Sequence, residues 1–387
     1  MSQLSLNPSI LLSPTSAGYV AYDTSTDRLH ELNPTAALLV ELCDGTRSVD
    51  EVIEVASPLL PPNSKSAIDR WFKEAVEVRL LLKEPNIDGS AVNELSETEL
   101  VELASRLRDD GKVQAAWLCQ QRASELLAND AAVFRELGEL AHIIGKRSDA
   151  RLAYEHYLRL EPSDSEIQHL LTSLRDDDPP PRVPDECIRQ LYQRFATFYE
   201  DNMCDELDYE GPVHLREVVD ASIGARTNLS VLDLGCGTGL AGRIVSEKAS
   251  RLVGIDLSPD MIDRAAKLGI YSELNVAEVA DWLTTATEEF DLIMACDTLI
   301  YFGDIGQVIS PASRLLRPGG TIAFSVELAE TGEFQLTDNG RYVHHPDHIN
   351  SVARNAGFHV VQQNERFLRM EYGVPVTGLF VALQRPE

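Results

Sequence analysis

The sequence predicts a multidomain chain: an α+β module first, an all-helical segment in the middle, and an α/β domain around a parallel sheet at the carboxyl end. Three observations predict it. The 387 residues exceed one ordinary domain. A Gly-Lys pair at Gly111-Lys112 returns at Gly145-Lys146, a shift of 145 − 111 = 34 residues. From Asn228 onward, strand-like apolar runs alternate with helical ones.

Bulk composition sets limits on function. Apolar residues make up 44% of the chain, enough for real cores. The formal net charge is −28, which argues against a nucleic-acid partner, since phosphate binding needs a basic footprint. No apolar run reaches the roughly 18 residues of a membrane span. The start, MSQLSLNPSILLSP, has neither a basic region nor a long apolar core, so no secretory signal is expected. Cys43, Cys119, Cys187, Cys204, Cys236 and Cys296 are scattered with no metal-ligand spacing. The expectation is a cytoplasmic protein with reduced thiols, no membrane partner and no metal. The sequence leaves the oligomeric state open, a dimer included.

Residues 1–90 form the first expected domain. Gly18-Tyr19-Val20-Ala21-Tyr22 and Leu29-His30-Glu31-Leu32 flank the turn text Asp23-Thr24-Ser25-Thr26-Asp27, which reads as a hairpin. Asn33 caps a helix with Pro34 at its first position, and Gly45 is expected to end it. Ser48 and Glu51 form a capping box for a second helix. A third amphipathic helix is expected from about Ser66 to Leu82. Strands followed by three short helices predict a winged-helix-like α+β module. The text GYVAYDTSTDRLHELNPTAALLVELCDGTRSVDEVI resembles the PqqD-type peptide-recognition domain, over nearly all of residues 5–85. That resemblance implies binding of the leader of a ribosomally made precursor peptide, added as a strand to a sheet edge.

Residues 97–175 form the second expected domain. The 34-residue shift also maps Leu103 to Leu137, Ala116 to Ala150, Leu126 to Leu160 and Asp130 to Asp164. A helix-turn-helix unit of that period resembles the tetratricopeptide (TPR) repeat, so a TPR-like array of two repeats and a capping helix is expected. Asp176-Asp177-Asp178-Pro179-Pro180-Pro181 marks a linker.

Residues 183–387 form the third. Val231-Leu232-Asp233-Leu234 reads as a buried strand, followed by Gly235-Cys236-Gly237-Thr238-Gly239 and a helix. Glycines there let the backbone approach a bulky ligand at positive φ. A second strand ends at Asp256, 256 − 233 = 23 residues later, where an acid can accept both hydroxyls of a ribose. Further strands are expected at Tyr271 to Val276, Phe290 to Ala295 and Thr321 to Val326, the last after Leu316-Arg317-Pro318-Gly319-Gly320. Phe358 to Val361 and Val376 to Leu383 complete the sheet as an antiparallel pair. This predicts a Rossmann-like α/β domain with its ligand at the strand carboxyl ends.

These motifs closely resemble class I S-adenosylmethionine-dependent methyltransferases. The stretches at 191–200, 297–304 and 340–345 resemble those fused to tetratricopeptide repeats. The resemblance implies S-adenosylmethionine as cofactor, held by Asp233, Gly235, Cys236, Gly237, Gly239, Asp256, Leu257, Met261, Ala277, Glu278 and Cys296. Candidates for the acceptor side are Asp297, Tyr199, Tyr301, Tyr342, His344 and His345. Cys296-Asp297-Thr298-Leu299 stands where an enzyme acting on amide nitrogens would carry an NPPY-type tetrapeptide, which makes such a nitrogen a poor candidate. Three functions follow: methylation of a side chain on a leader-bound precursor peptide, methylation of a small natural product with the front domains used for assembly, or a binding protein with a vestigial site. The intact glycines and acids count against the third.

Overall fold

A computed structural model describes residues 3–7, 10–15, 18–23, 28–57, 60, 64–83, 96–175, 179–195, 209–371 and 374–387. The chain divides into two compact units, Met1–Pro162 and Ser163–Glu387.

The first unit begins with β1 (Gln3–Leu6), β2 (Ile10–Thr15), β3 (Gly18–Asp23) and β4 (Arg28–Leu32). There follow α1 (Pro34–Leu42), β5 (Asp44–Ser48), α2 (Val49–Ala56), α3 (Lys65–Glu77) and β6 (Leu81–Lys83). The strands make two antiparallel sheets, β2-β3-β4 and β5-β1-β6. The expected hairpin is β3–β4, with Tyr22 opposite Leu29. Asn33 caps α1 by accepting the Ala36 N–H, and Ser48 and Glu51 cap α2 reciprocally. Two details differ from expectation. Gly45 does not end α1 but lies in β5. The third helix stops at Glu77, because Arg79 takes a positive φ of 60° and Leu81–Lys83 pairs with β1.

Four helices complete this unit: α4 (Glu97–Asp109), α5 (Val113–Leu126), α6 (Ala131–Ile143) and α7 (Arg147–Leu160). Their starts repeat at 131 − 97 = 34 and 147 − 113 = 34 residues. Gly111 and Gly145 make the equivalent turns at φ 75° and 73°. Ala116 and Ala150 are fully buried where the paired helices meet.

The second unit opens on α8 (Ser165–Ser173), which starts another 165 − 131 = 34 residues on. Asp164 caps it as Asp130 caps α6. Yet α8 belongs to this unit. His169 bonds the Gly340 carbonyl at 2.8 Å, Ser173 donates to the Asp338 carbonyl at 2.9 Å, and Arg194 pairs with Glu166 at 2.8 Å.

Next come α9 (Asp185–Phe195), α10 (Gly211–Ile223), β7 (Leu229–Leu234), α11 (Leu240–Val245), β8 (Ala249–Asp256), α12 (Pro259–Lys267) and β9 (Glu273–Val276). Then follow α13 (Val279–Thr285), β10 (Phe290–Ala295), α14 (Gly306–Leu315), β11 (Leu316–Leu328), the short β12 (Phe334–Leu336) and β13 (Tyr342–His344), α15 (Pro346–Asn355), β14 (His359–Glu371) and β15 (Val374–Gln384). The main sheet runs β9-β8-β7-β10-β11-β15-β14, parallel except for β15, which is antiparallel to both its neighbours.

Side chains alternate across β7, so Leu232 and Leu234 face one core while Leu229 and Val231 face the other. Residues of α13, α14 and α15 cover the first face; α10 supplies Leu215, Val218, Val219 and Ile223 to the second. The parallel sheet buried on both sides is the Rossmann-like architecture that the alternating sequence predicts. Strand order reverses between β7 and β10, which opens a crevice at their carboxyl ends. No helix among the described residues is long and apolar enough to cross a membrane.

Candidate functional site

The carboxyl ends of β7, β8 and β10 face one cleft. The sheet and its loops line it with Gly235, Gly237, Asp256, Leu257, Met261, Glu278, Val279, Cys296, Asp297, Thr298, Tyr301 and Phe302. The segment ahead of the sheet adds Arg182, Ile188 and Tyr192. A smaller recess shares Gly235, Gly237 and Cys296 with it and adds Cys236, Thr238, Tyr209 and Leu240.

The loop after β7 is built by its glycines. Gly235 has φ 64°, and a Cβ there would stand 2.3 Å from the Thr298 hydroxyl. Gly237 has φ 53° with open space beyond it, so its backbone can meet a ligand directly. Gly239 lines neither recess; it starts α11 in the left-handed conformation. Beneath the loop lies Tyr271, a residue that sequence reasoning assigned to a strand. The third strand starts only at Glu273, which frees the Tyr271 ring to turn inward. Its hydroxyl donates to Asp233 Oδ2 at 2.7 Å, and its ring fills the space that Gly242 and Gly254 leave. Asp233 is fully buried, and burial pushes its carboxyl up to about 7 against the opposing Tyr271 bond. Its Oδ1 has no partner among the described residues. Asp233 itself lines neither recess and lies beneath the glycine loop that does.

Asp256 closes the next side. Its Oδ2 accepts the Gly237 N–H at 2.9 Å and its Oδ1 the Ser258 N–H at 2.8 Å. Each oxygen keeps a second lone pair for a vicinal diol. Burial raises its pKa, and the backbone donors oppose that. Ser258 caps α12, which sets Leu257 and Met261 against the cleft. Glu278 is already engaged: one oxygen caps α13 through the Asp281 N–H at 2.7 Å, and the other faces Arg182 at 3.6 Å. Ala277 lies beside the cleft wall rather than on it and donates its N–H to the Asp256 carbonyl.

The acceptor side centres on Asp297, which follows β10 at a positive φ of 53°. Its N–H donates to Ser325, and its Oδ2 accepts from Arg369 at 2.9 Å. Its Oδ1 is buried with no partner among the described residues. Arg369, on β14, is 4% exposed and also holds Glu327 and Glu371. Arg341 pairs with the same two glutamates, at 2.8 Å for Glu327. Burial raises Asp297 above the ordinary carboxylate range while Arg369 opposes it. For Glu327, with both guanidinium groups at hand, the balance goes the other way and its pKa is lowered. Tyr301 and Tyr192 bond each other at 2.7 Å across the same wall. Tyr192 and Arg341 lie in the stretches 191–200 and 340–345 that carry the resemblance but were not singled out, and Arg182, Glu327, Arg369 and Tyr271 were missed as site residues, for they converge from distant positions without a motif.

Several expected acceptor residues point elsewhere. Tyr342 is buried, with its hydroxyl on the Pro180 carbonyl. His344 is buried, with Nε2 on the carbonyls of Phe302 and Gly303 at 2.9 and 3.0 Å; burial holds it neutral, down to about 4. His345 caps α15 through the Asp347 N–H. None of the three lines the cleft: β13 turns Tyr342 and His344 into the protein, and His345 sits half-buried at the start of α15. Tyr199 lies outside the described residues.

Comparison with known proteins agrees with this geometry. Residues 231–320 match the family model described as "Methyltransferase domain", and residues 18–57 match that of "Coenzyme PQQ synthesis protein D (PqqD)". The chain is 26% identical over 149 residues to a ubiquinone biosynthesis O-methyltransferase from Hydrogenovibrio crunogenus, covering 34% of this chain and 62% of that one. It is 33% identical over 105 residues to a malonyl-(acyl-carrier protein) O-methyltransferase from Pseudescherichia vulneris, covering 27% and 41%. The chain thus spans less than two thirds of these curated relatives. Among solved structures it is similar to the 1,6-didemethyltoxoflavin-N1-methyltransferase of Burkholderia thailandensis, at 21% identity and TM-score 0.42, covering 55% of this chain and 94% of that one. It is also similar to the N-methyltransferase NodS of Bradyrhizobium japonicum, at 19% and 0.40, covering 58% and 100%. The family match and the glycine loop between Asp233 and Asp256 agree: the carboxyl-terminal unit contains an S-adenosylmethionine-dependent methyltransferase domain.

Proposed function

We propose that the full chain methylates a side chain of a ribosomally synthesised precursor peptide, held by its leader at the amino-terminal module. The observation that carries this is the joining, in one polypeptide, of a PqqD match at 18–57 and the methyltransferase cleft. The β2-β3-β4 sheet supports it: neither β2 nor β4 pairs a further strand on its outer edge among the described residues, so a leader can add there. The repeating helices α4 to α7, read as TPR-like, serve as spacer or protein-binding surface between the domains of residues 1–90 and 183–387.

The cofactor supplies an activated methyl group on a sulfonium. Asp256 accepts the ribose hydroxyls, and Asp233 with the glycine loop takes the amino-acid portion. Met261 and Leu257 contribute the apolar wall for the adenine. The chain's remaining task is to align the acceptor, which supplies much of the acceleration. Asp297, on the cleft wall and with Oδ1 unpartnered among the described residues, accepts a hydrogen bond from it.

The test is mass spectrometry of the full chain incubated with S-adenosylmethionine and the peptide encoded beside its gene. A shift of one methyl, about 14 Da, that disappears when the leader is removed is the expected result. No shift on any neighbouring peptide would falsify it. The relatives' names favour a second reading, a small-molecule O-methyltransferase. Methylation of a leaderless fragment at an undiminished rate would select that one.

A further inference from the structure

We infer that Arg369, which lines no part of the cleft, is a positioning residue that keeps Asp297 a free carboxylate on the acceptor wall. The acceptor it admits is therefore a proton-bearing nucleophile, an amine, imidazole or hydroxyl, and not a carboxylate. This deepens the methyltransferase reading and rests on it.

The argument starts from charge. Asp297, Glu327 and Glu371 bring three negative groups, and Arg369 and Arg341 two positive ones, so the cluster carries one net negative charge. The two arginines are shared unequally. Glu327 is held by both, whereas Asp297 is held through one oxygen by Arg369 alone. The excess charge is thus left at Asp297, the one member of the cluster on the cleft wall. Its free Oδ1 is buried and cannot turn to solvent for a donor. The other cations nearby are already engaged: Arg182 on the cleft wall faces Asp185 and Glu278, and Arg341 is held by Glu327 and Glu371. Tyr301 is bonded to Tyr192, and Cys296 is a thiol that burial keeps protonated. A carboxylate acceptor would meet this oxygen with like charge and no proton between them. An N–H or O–H acceptor satisfies it. As the acceptor's lone pair bonds the methyl carbon, the carbon–sulfur bond breaks toward sulfur, leaving the neutral thioether. The acceptor's proton passes to Asp297 Oδ1.

The positional constraint is also visible. Asp297 has a positive φ that L-residues rarely adopt. The N–H bond to Ser325 and the side-chain bond to Arg369, 72 residues away, fix that conformation from two strands. Without Arg369, the carboxyl keeps only the more distant Arg341, which is itself bonded to Glu327 and Glu371, against the burial that raises it.

The role of Arg369 is tested without an acceptor, and the acceptor class by the bond found in the methylated product. Affinities of the full chain for S-adenosylmethionine, a cation at sulfur, and S-adenosylhomocysteine, neutral there, are measured by calorimetry from pH 6 to pH 9. Taking the ratio of the two cancels the groups they share. The wild type should favour the cationic ligand by a constant ratio. Asp297→Asn should lower that ratio about fivefold at every pH, the order expected for one charge removed from a partly screened cleft. Arg369→Met should lower it near pH 6 and recover it near pH 9, and Arg369→Lys should stay near wild type throughout. If the methionine variant fails to fold, the lysine and asparagine variants still decide. A ratio unchanged in Asp297→Asn, or a pH-independent loss in Arg369→Met, would overturn the role of Arg369. A methyl ester found on the product would overturn the acceptor class. If the wild type binds neither ligand, the cofactor reading itself fails, a distinct result.

Discussion

The two halves of the cleft are built by different means. The cofactor half comes from one continuous stretch: β7, its glycine loop, β8 and the start of α12 lie within residues 229–267, and most bonds among them are local. The acceptor half gathers Arg182, Tyr192, Asp297, Tyr301, Glu327, Arg341 and Arg369 across 369 − 182 = 187 residues. A half written locally can be copied between proteins as a unit. A half assembled by long-range ion pairs can be retuned without touching the first.

Breaking the acceptor half should cost the most. Arg369→Met leaves Asp297 without its ion-pair partner and Glu327 and Glu371 with Arg341 alone, and a loss of about 3–5 kcal/mol of unfolding free energy is expected by denaturant titration. Replacing Asp256 with Ala removes the proposed acceptor for the ribose hydroxyls and should weaken S-adenosylmethionine roughly a hundredfold by calorimetry, with a smaller cost in stability because the Gly237 and Ser258 N–H groups lose their partner. A smaller effect should separate the layers within the cofactor half. Tyr271→Phe removes the bond that opposes burial at Asp233, so its carboxyl should rise further above about 7. Cofactor affinity should fall about fivefold at pH 7 and recover at higher pH. The sign for stability is opposite: the raised carboxyl stabilises the cofactor-free protein below its unfolded value near 3.8, and that contribution is lost as pH climbs through about 7. The smallest effect belongs to Tyr342→Phe. It should cost about 1 kcal/mol of stability through the Pro180 bond and leave cofactor affinity unchanged, whereas a large change in affinity would restore Tyr342 to the site.

The same contrast explains what was legible in the sequence. Asp233, the glycines and Asp256 are readable because their roles follow from neighbours a few residues away. Their order also encodes the parallel sheet, since each strand is a near-continuous apolar run. Strands β1, β5 and β6 were not read, because runs of three to five residues carry little period and their pairing partners are distant. Tyr271 was read as a strand residue since a β-compatible aromatic beside Leu274 and Val276 satisfies the pattern. Only the fold shows that its hydroxyl reaches back 38 residues to Asp233. The histidines at 344 and 345 drew attention as chemistry, while the backbone carbonyls and N–H groups that occupy them are invisible in sequence. Nothing in the text around Arg369 hints at its partners.

Helix α8 has a practical consequence. By its spacing it continues the series begun at α4 and α6, yet its His169 and Ser173 side chains are tied to the Gly340 and Asp338 carbonyls, and its first N–H groups donate to the Gln190 side chain. Anyone trimming the chain to its enzyme would cut at the proline-rich stretch near 179, where the text visibly changes. That cut would strip His169 and Ser173 from the turn preceding β13 and take Glu166 from Arg194. The shortened chain should instead start before Asp164, whose side chain begins the helix, so the last turn of the repeat travels with the catalytic piece.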